Sequence, residues 1–476
     1  MPAKTGNEYI ERIDRARADV RIHGEKVKGK ISEQPAFKNV MQSQAALYNL
    51  QLDQKDRMTY ESPLTGDRVG LSYMIPKTKD DLARRRTMIR EWALQSCGML
   101  GRSPDYMNTV IMVFGSASPI FEDYADNMKN YYEFCREKDI SLTHTFVQPQ
   151  VNRSSFYFEN DKEPIAARIM DKTKDGLVIH GARLLATQGA TTDEILVFPG
   201  MKIWDFDEEN PYAYAFALPN NTPGLKFICR EGYDEGWSHF DRPLSSRYEE
   251  VDTLVVFDHV LVPWDRVFAA GKADITERLA KTSFNEHAVH QVITRQIVKT
   301  EFMVGLIRTL IETIKIGEYQ HVQEKLAEVV VSLEAMKGFL LSAEHQAELN
   351  QWGVMTPDNK PLLAAMNYFP RMYPRMIEIL QTLGASGMVT LPTEADFDSD
   401  YRSDLDKYMQ AANADAYDRV KVFRLAWDTC MSAFGTREVQ YERYFFGDPV
   451  RLAGRIYHGY DMSEFKNRIK NLLDEK

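Results

Sequence analysis

The chain has 476 residues, too many for one compact core, and its 44% hydrophobic and 27% charged content is that of a globular protein. A formal charge of −10 argues against a nucleic-acid partner, which demands a basic face. Four widely spaced cysteines with no C-x-x-C pair, and ten histidines with no H-E-x-x-H pair, give no recognisable metal ligand set and fit a reducing cytoplasm.

Residues 1–140 read mostly as helix, with clear helical runs at 80–95 and 121–138. The basic cluster Arg84-Arg85-Arg86 reads as the solvated face of the first run. Next, Ser103 is placed as a helix N-cap, Pro104 as the first helical residue and Asp105 as a first-turn acid, and Val110 to Phe114 continue the helix. Arg102 then precedes a helix N-terminus, with Tyr106 in the first turn. A guanidinium, a phenol and free backbone N–H groups would converge there, as an anion site requires. The plain alternative is a capped surface helix with a solvated arginine.

Residues 141–272 change period. Short β-like runs occur at 176–180, 194–198, 212–217, 225–229 and 254–257, divided by turn signals such as Pro219-Asn220-Asn221-Thr222-Pro223-Gly224. Close spacing without intervening helices suggests a β-barrel or sandwich. From 273 to 476 the helical period returns. Val322, Leu326, Val329, Val330, Leu333, Met336 and Leu340 form an apolar stripe that, with 296–316, predicts a long helical hairpin in a bundle. The expected fold is α+β and multi-domain: helical 1–140, β 141–272, helical bundle 273–476. Met1 to Ile10 is polar, without a signal-peptide apolar region, and no run is long enough to span a bilayer.

At the helical-to-β junction lies Thr143-His144-Thr145-Phe146, then Pro149-Gln150-Val151-Asn152-Arg153. His144 could act as a base near neutral pH, and Gln150, Asn152 and Arg153 offer donors for a polar ring edge or a diphosphate. The alternative is a polar turn with a satisfied histidine. No Rossmann glycine fingerprint, P-loop or G-x-S-x-G elbow occurs. Gly384-Ala385-Ser386-Gly387 fits a helix C-terminus.

Gly101 to Tyr106, the 143–153 block, Pro243-Leu244-Ser245-Ser246-Arg247, Val262-Pro263-Trp264 and Phe446-Gly447-Asp448-Pro449 occur in the order found in one family. Over essentially its whole length the chain resembles the two-component, flavin-dependent phenol hydroxylases, specifically the oxygenase components of 4-hydroxyphenylacetate 3-monooxygenases. The resemblance implies an acyl-CoA dehydrogenase-like fold: an N-terminal helical domain, a central β-barrel and a C-terminal four-helix bundle that builds a tetramer. It implies FAD, used as FADH2 from a separate NADH-dependent reductase, and ortho-hydroxylation of a para-substituted phenol to a catechol in the cytoplasm.

By the same resemblance Arg102, Tyr106 and His144 are the catalytic and substrate residues. His144, Gln150, Val151, Asn152, Arg153, Thr187, Phe446, Gly447, Asp448 and Pro449 would hold the flavin, with the Thr187 hydroxyl toward its N5 edge. Gly384 to Gly387 resemble a glycine-rich stretch that approaches a dinucleotide in the wider fold. His290 matches a phenol-deprotonating histidine of related chlorophenol enzymes; its other reading is a bundle-core histidine. No metal is implied. One departure stands out: members of the family can carry a Ser–Thr pair where this chain has Pro199-Gly200-Met201, so Gly200 and Met201 put the preferred phenol in question. Alternatives are another phenol (chlorophenol, nitrophenol or tyrosine-derived), a 4-hydroxybutyryl-CoA dehydratase-like flavoprotein, which needs an iron–sulfur cluster, or a flavin-binding scaffold without turnover.

Overall fold

The computed structural model describes residues 2–151, 164–199 and 209–474. The N-terminal part is chiefly helical. It runs α1 (Gly6–Ala16), β1 (Asp19–Ile22), β2 (Glu25–Lys26), α2 (Pro35–Asp53), α3 (Lys55–Met58), β3 (Thr59–Glu61), β4 (Arg68–Gly70), α4 (Lys79–Gln95), α5 (Pro104–Ser116) and α6 (Ala125–Lys138). A 3-10 segment, Ser118–Tyr124, starts the run expected as helix from 121. The α4 helix does not carry a uniformly solvated basic face. Arg85 is buried and donates to the carbonyls of Leu71, Ser72 and Met74 and to Thr109 Oγ1, while Arg86 pairs with Glu344. Four fixed acceptors stabilise a guanidinium where solvent cannot, although burial still pushes its pKa down to about 10.

The middle part supplies β5 (Leu142–Thr145), β6 (Arg168–Lys172), β7 (Gly176–Thr187), β8 (Glu194–Val197), β9 (Tyr214–Pro219), β10 (Leu225–Cys229), a short α7 (Ser245–Tyr248), β11 (Asp252–Pro263) and β12 (Val267–Ala270). Among the described residues these strands do not close into a barrel. They form two sheets, β2-β1-β10-β11-β7-β6 and β12-β9-β8-β5. Two pairings are parallel, β1 with β10 and β5 with β8, so each sheet takes in a strand distant in sequence that local period could not place. The faces explain the composition. Ile195 and Val197 of β8 enter the core between the sheets with Phe216, Phe227 and Phe257, whereas Leu196 enters a second core with α5 and α6. The smaller sheet is thus covered on both faces, and its strands read as continuous apolar runs.

The C-terminal part runs α8 (Ile275–Ala280), α9 (Phe284–Thr313), α10 (Gln320–His345), β13 (Glu348–Leu349), β14 (Met355–Thr356), α11 (Asn359–Gly384), α12 (Arg402–Tyr408), α13 (Ala416–Cys430), α14 (Ala433–Tyr444), α15 (Pro449–Gly459) and α16 (Ser463–Asp474). The expected hairpin is α9–α10. The stripe residues Val322, Val329, Leu333, Met336 and Leu340 pack with α9, α11 and α13 in one core. Gly384 to Gly387 end α11 and enter a 3-10 turn, and a Cβ on Gly387 would meet Phe423 at 2.6 Å, so this glycine serves helix packing. No helix among the described residues is long and apolar enough to cross a membrane.

Candidate active site

Arg102 stands where Pro104 opens α5, and Ser103 is extended at the N-cap without a side-chain capping bond. The backbone donors of this turn are taken. Glu250, just before β11, accepts from the Gly101 N–H at 2.9 Å and the Arg102 N–H at 2.7 Å, and its Oε1 also takes Gln188 Nε2 at 2.8 Å. The two N–H groups just ahead of the helix are therefore filled by a carboxylate of the chain itself. What remains for an outside anion is the guanidinium. One of its nitrogens donates to Tyr441 Oη at 2.6 Å, and its Nε is buried with no hydrogen-bond partner among the described residues.

Three rings from two elements surround that guanidinium. Its carbon lies 4.5 Å from the Tyr106 ring centre, 4.8 Å from Phe445 and 5.5 Å from Tyr441. Such contacts hold a cation without consuming its donors. Gly101 is required by this crowding, since a Cβ there would fall 2.1 Å from Tyr441 Oη. Tyr106 meets Phe445 edge-on at 5.7 Å and His144 at 5.6 Å. Sequence analysis singled out Arg102, Tyr106 and His144, and the fold brings these three together. It did not find Tyr441, Phe445 or Glu250, although the aromatic run Tyr441–Phe446 directly before Gly447-Asp448-Pro449 was a usable signal.

The site is electrostatically lopsided. Burial, then the neighbouring Arg102, hold His144 well below its ordinary pKa, so its ring is neutral at pH 7. Its Nδ1 is buried without a partner among the described residues, as is Thr145 Oγ1. Burial raises the Tyr106 phenol, with Arg102 opposing, so Tyr106 keeps its proton. The cluster is thus one fixed positive charge, one neutral imidazole and one phenolic donor, with the Glu250 carboxylate bound to the Arg102 backbone at its flank.

The helix that supplies Tyr441 is clamped by buried charges. Arg295 and Lys299 of α9 bind Glu442 at 2.6 Å, and Lys299 also binds Glu438 at 2.6 Å. These cations hold the Glu442 carboxyl well below the usual range despite burial. Arg437 reaches across to Asp252, which also accepts from the Thr187 hydroxyl at 2.7 Å. Thr187 is therefore committed as a donor to Asp252, and only its lone pairs are available to another group; a flavin N5–H would have to donate to it.

The remaining predicted positions are spread around this cluster. Phe146 stacks on His144 at 5.6 Å, and the Val147 carbonyl accepts from the Leu184 N–H of β7, which carries exposed Gln150 and Val151 past that strand. Phe446 packs on Phe445, Gly447 takes φ +99°, and Asp448 caps α15 ahead of Pro449. His290 is buried in α9 with Nε2 2.8 Å from Glu344, which also binds Arg86. That is the bonding of a helix-interface histidine, and no ring contact among the described residues joins it to Tyr106 or His144. Asn152, Arg153, Gly200 and Met201 lie outside the described residues.

Known proteins match the whole chain. The N-terminal model of 4-hydroxyphenylacetate 3-hydroxylase covers residues 5–269 and its C-terminal model residues 276–474. A 4-hydroxyphenylacetate 3-monooxygenase oxygenase component from a Geobacillus strain is 50% identical over 99% of this chain and 97% of its own; one from Thermus thermophilus is 44% identical over 99% and 98%. A crystal structure of such an oxygenase component, complexed with FAD and 4-hydroxyphenylacetate, superposes with a TM-score of 0.94 at 43% identity, covering 99% of this chain and 98% of that one. An archaeal 4-hydroxybutyryl-CoA dehydratase shares the fold, with a TM-score of 0.89 at 19% identity, over 99% and 95% of the two chains. With both family models in register along it, the chain belongs to the 4-hydroxyphenylacetate 3-hydroxylase family.

Proposed function

We propose that this chain is the oxygenase of a two-component monooxygenase that converts 4-hydroxyphenylacetate to 3,4-dihydroxyphenylacetate with FADH2 and O2. The carrying observation is the convergence of Arg102, Tyr106 and His144 in one cage built around the guanidinium. Relatives of the same length carry that activity by name, and one was solved with FAD and this phenol. The residues present suit a flavin. Three buried polar atoms, Arg102 Nε, His144 Nδ1 and Thr145 Oγ1, have no partner among the described residues, and the half-exposed Phe146, stacked on His144, offers flat apolar cover. Gln150, Val151, Thr187 and the segment Phe446–Pro449 would hold it, with Asn152 and Arg153. When bound, the reduced flavin supplies, with O2, an electrophilic oxygen atom.

The chain's own part is to bind and ionise the phenol. A phenol has a pKa of about 10, and its anion is the better nucleophile at the ortho carbon. Charge-assisted bonds from Arg102 and Tyr106, about 1.5–3 kcal/mol each, would lower that pKa by roughly 2–4 units. His144 is a poor proton store beside Arg102 alone, but a phenolate placed between them would offset the guanidinium and let the ring share the proton. Gly200 and Met201 stand by resemblance near the far end of the ring, and His290 in the bundle supports α9 rather than the phenol oxygen.

In this reading a separate NADH:flavin reductase delivers FADH2, the bundle assembles a cytoplasmic homotetramer, and the chain divides at about 140/141 and 272/273. The test is direct: purified chain, reductase, NADH, FAD and a panel of phenols. Catechol from 4-hydroxyphenylacetate is expected; a panel that yields only peroxide refutes the assignment. The dehydratase alternative has weaker support, because relatives 44–50% identical are named as monooxygenase oxygenase components whereas the dehydratase is 19% identical and shares the fold alone.

A further inference from the structure

On the outward face of the six-stranded sheet the pairing of β11 with β7 slips. Phe257 lies opposite Gly181 and Val260 opposite Ile179, so Asp258 and His259 together face the single residue His180. This is a β-bulge, and His259 takes φ +52° within it. Ile179 and Phe257 point into the core, so His180 and its two opposing residues stand on the other side, where Asp258 and His259 are exposed. The bulge stacks the His180 and His259 rings with centres 4.1 Å apart and sets His259 Nδ1 3.3 Å from Asp258 Oδ1.

We propose that His180, Asp258 and His259 bind one divalent ion of the zinc class. Their ligand atoms all lie within 4.8 Å of one another. Zinc–nitrogen and zinc–oxygen bonds of about 2.0–2.1 Å at the tetrahedral angle put neighbouring ligand atoms about 3.3 Å apart. The Asp258–His259 pair already has that spacing; the His180 ring, stacked on His259 without the ion, must turn out of the stack so that its in-plane lone pair meets the same ion. His180 Nδ1 is buried and has no hydrogen-bond partner among the described residues, unlike a histidine kept for the sheet's own bonding. Lys226 binds Asp258 through Oδ2 at 2.8 Å, which leaves Oδ1 for the ion. Two imidazoles and one carboxylate select zinc, nickel or copper over the oxygen-seeking calcium and magnesium, and water completes the shell. Lys226, and Arg168 opposite His180 on β6, set this affinity below that of a closed structural site. The ion would pin β7 to β11 across their irregular step. Along β7 the site is seven residues (187 − 180) from Thr187, about 23 Å at the usual strand rise, so it is separate from the phenol cage.

The test uses the full-length chain, stripped with chelator and titrated with zinc chloride by calorimetry, with thermal unfolding read in parallel. One ion per chain and a zinc-dependent rise in the unfolding midpoint are expected. His180→Gln and His259→Gln should each weaken binding at least tenfold and abolish the rise. His321→Gln, at an exposed histidine on α10, should change neither, and calcium chloride should produce neither effect. Both site variants should match the parent's midpoint in chelator, which separates lost binding from lost folding. Zinc bound non-stoichiometrically, or bound with parental affinity by both site variants, overturns the proposal.

Discussion

Glu250→Gln tests whether the turn before α5 is set by a buried carboxylate rather than by its own sequence. The substitution keeps the shape and removes one acceptor. Oε1 serves two donors, Arg102 N–H and Gln188 Nε2, so the new amide oxygen stays on that side and the NH2 faces the Gly101 N–H. Two donors then oppose each other in a site without solvent. One charge-assisted bond is lost, about 1.5–3 kcal/mol. Arg437, 3.6 Å from the carboxylate, loses little because Asp252 and Glu438 still hold it. Burial already pushes the Glu250 carboxyl upward in pKa, so removing its charge recovers some desolvation and the net effect sits at the low end of that range. Since 1.36 kcal/mol is tenfold, the ratio of turns that hold Arg102 in place to turns that do not falls about tenfold. The assay is kcat/KM for 4-hydroxyphenylacetate together with catechol formed per FADH2 consumed. We expect kcat/KM to drop about tenfold and peroxide to take up the missing equivalents. A variant with kcat/KM and coupling within twofold of the parent would show that Glu250 does not position Arg102.

Three further outcomes follow from the site. Arg102→Ala should lose catechol formation while FADH2 oxidation to peroxide persists; normal product yield would contradict its role. Gly101→Ala should displace the Tyr441 ring and raise KM for the phenol at least tenfold, whereas Tyr441→Phe, which loses one hydrogen bond, should raise it less; the reverse order would refute the packing argument. His287 is held well below its ordinary pKa by burial, then Arg85 and His290, so the unfolded chain binds more protons than the folded one just below pH 6.5. Its share of stability is complete above pH 6.5 and is lost as pH falls beneath it. The urea midpoint should therefore fall less between pH 7.5 and 5.5 in His287→Gln than in the parent, and an equal or larger fall would reverse the sign of the argument.

The sequence made the periodic parts legible. The α10 stripe, the start of α5 at Pro104 and the five strands β7 to β11 follow from spacing alone, because burial of one face writes itself into every third or second residue. Arg102 was legible for the same reason, standing one turn before a helix. Its surroundings were not: Glu250 lies 148 residues away and Tyr441 339 residues away, and no local pattern encodes such partners. Arg85 failed as a solvated charge because its acceptors are main-chain carbonyls, which have no residue signature. The expected barrel became two sheets: β1 joins one from the helical N-terminal region, and β5 joins the other by a parallel pairing to β8 that local period could not place. The His180–Asp258–His259 group is invisible to ligand-spacing rules, since a bulge rather than a motif assembles it.

The bond from Arg102 to Tyr441 also has a meaning in time. The cage wall formed by Tyr441 and Phe445 is made from the last tenth of the chain, 339 residues after the arginine it encloses. At roughly 5–20 residues per second, synthesis leaves Arg102 without that wall for roughly 20–70 s. A ribosome-bound fragment can fold both sheets and still have no enclosed phenol site. The enclosure of Arg102 therefore arrives only near completion of the polypeptide, and a chain terminated before 441 would lack that wall and also leave the buried Arg295 and Lys299 without Glu442.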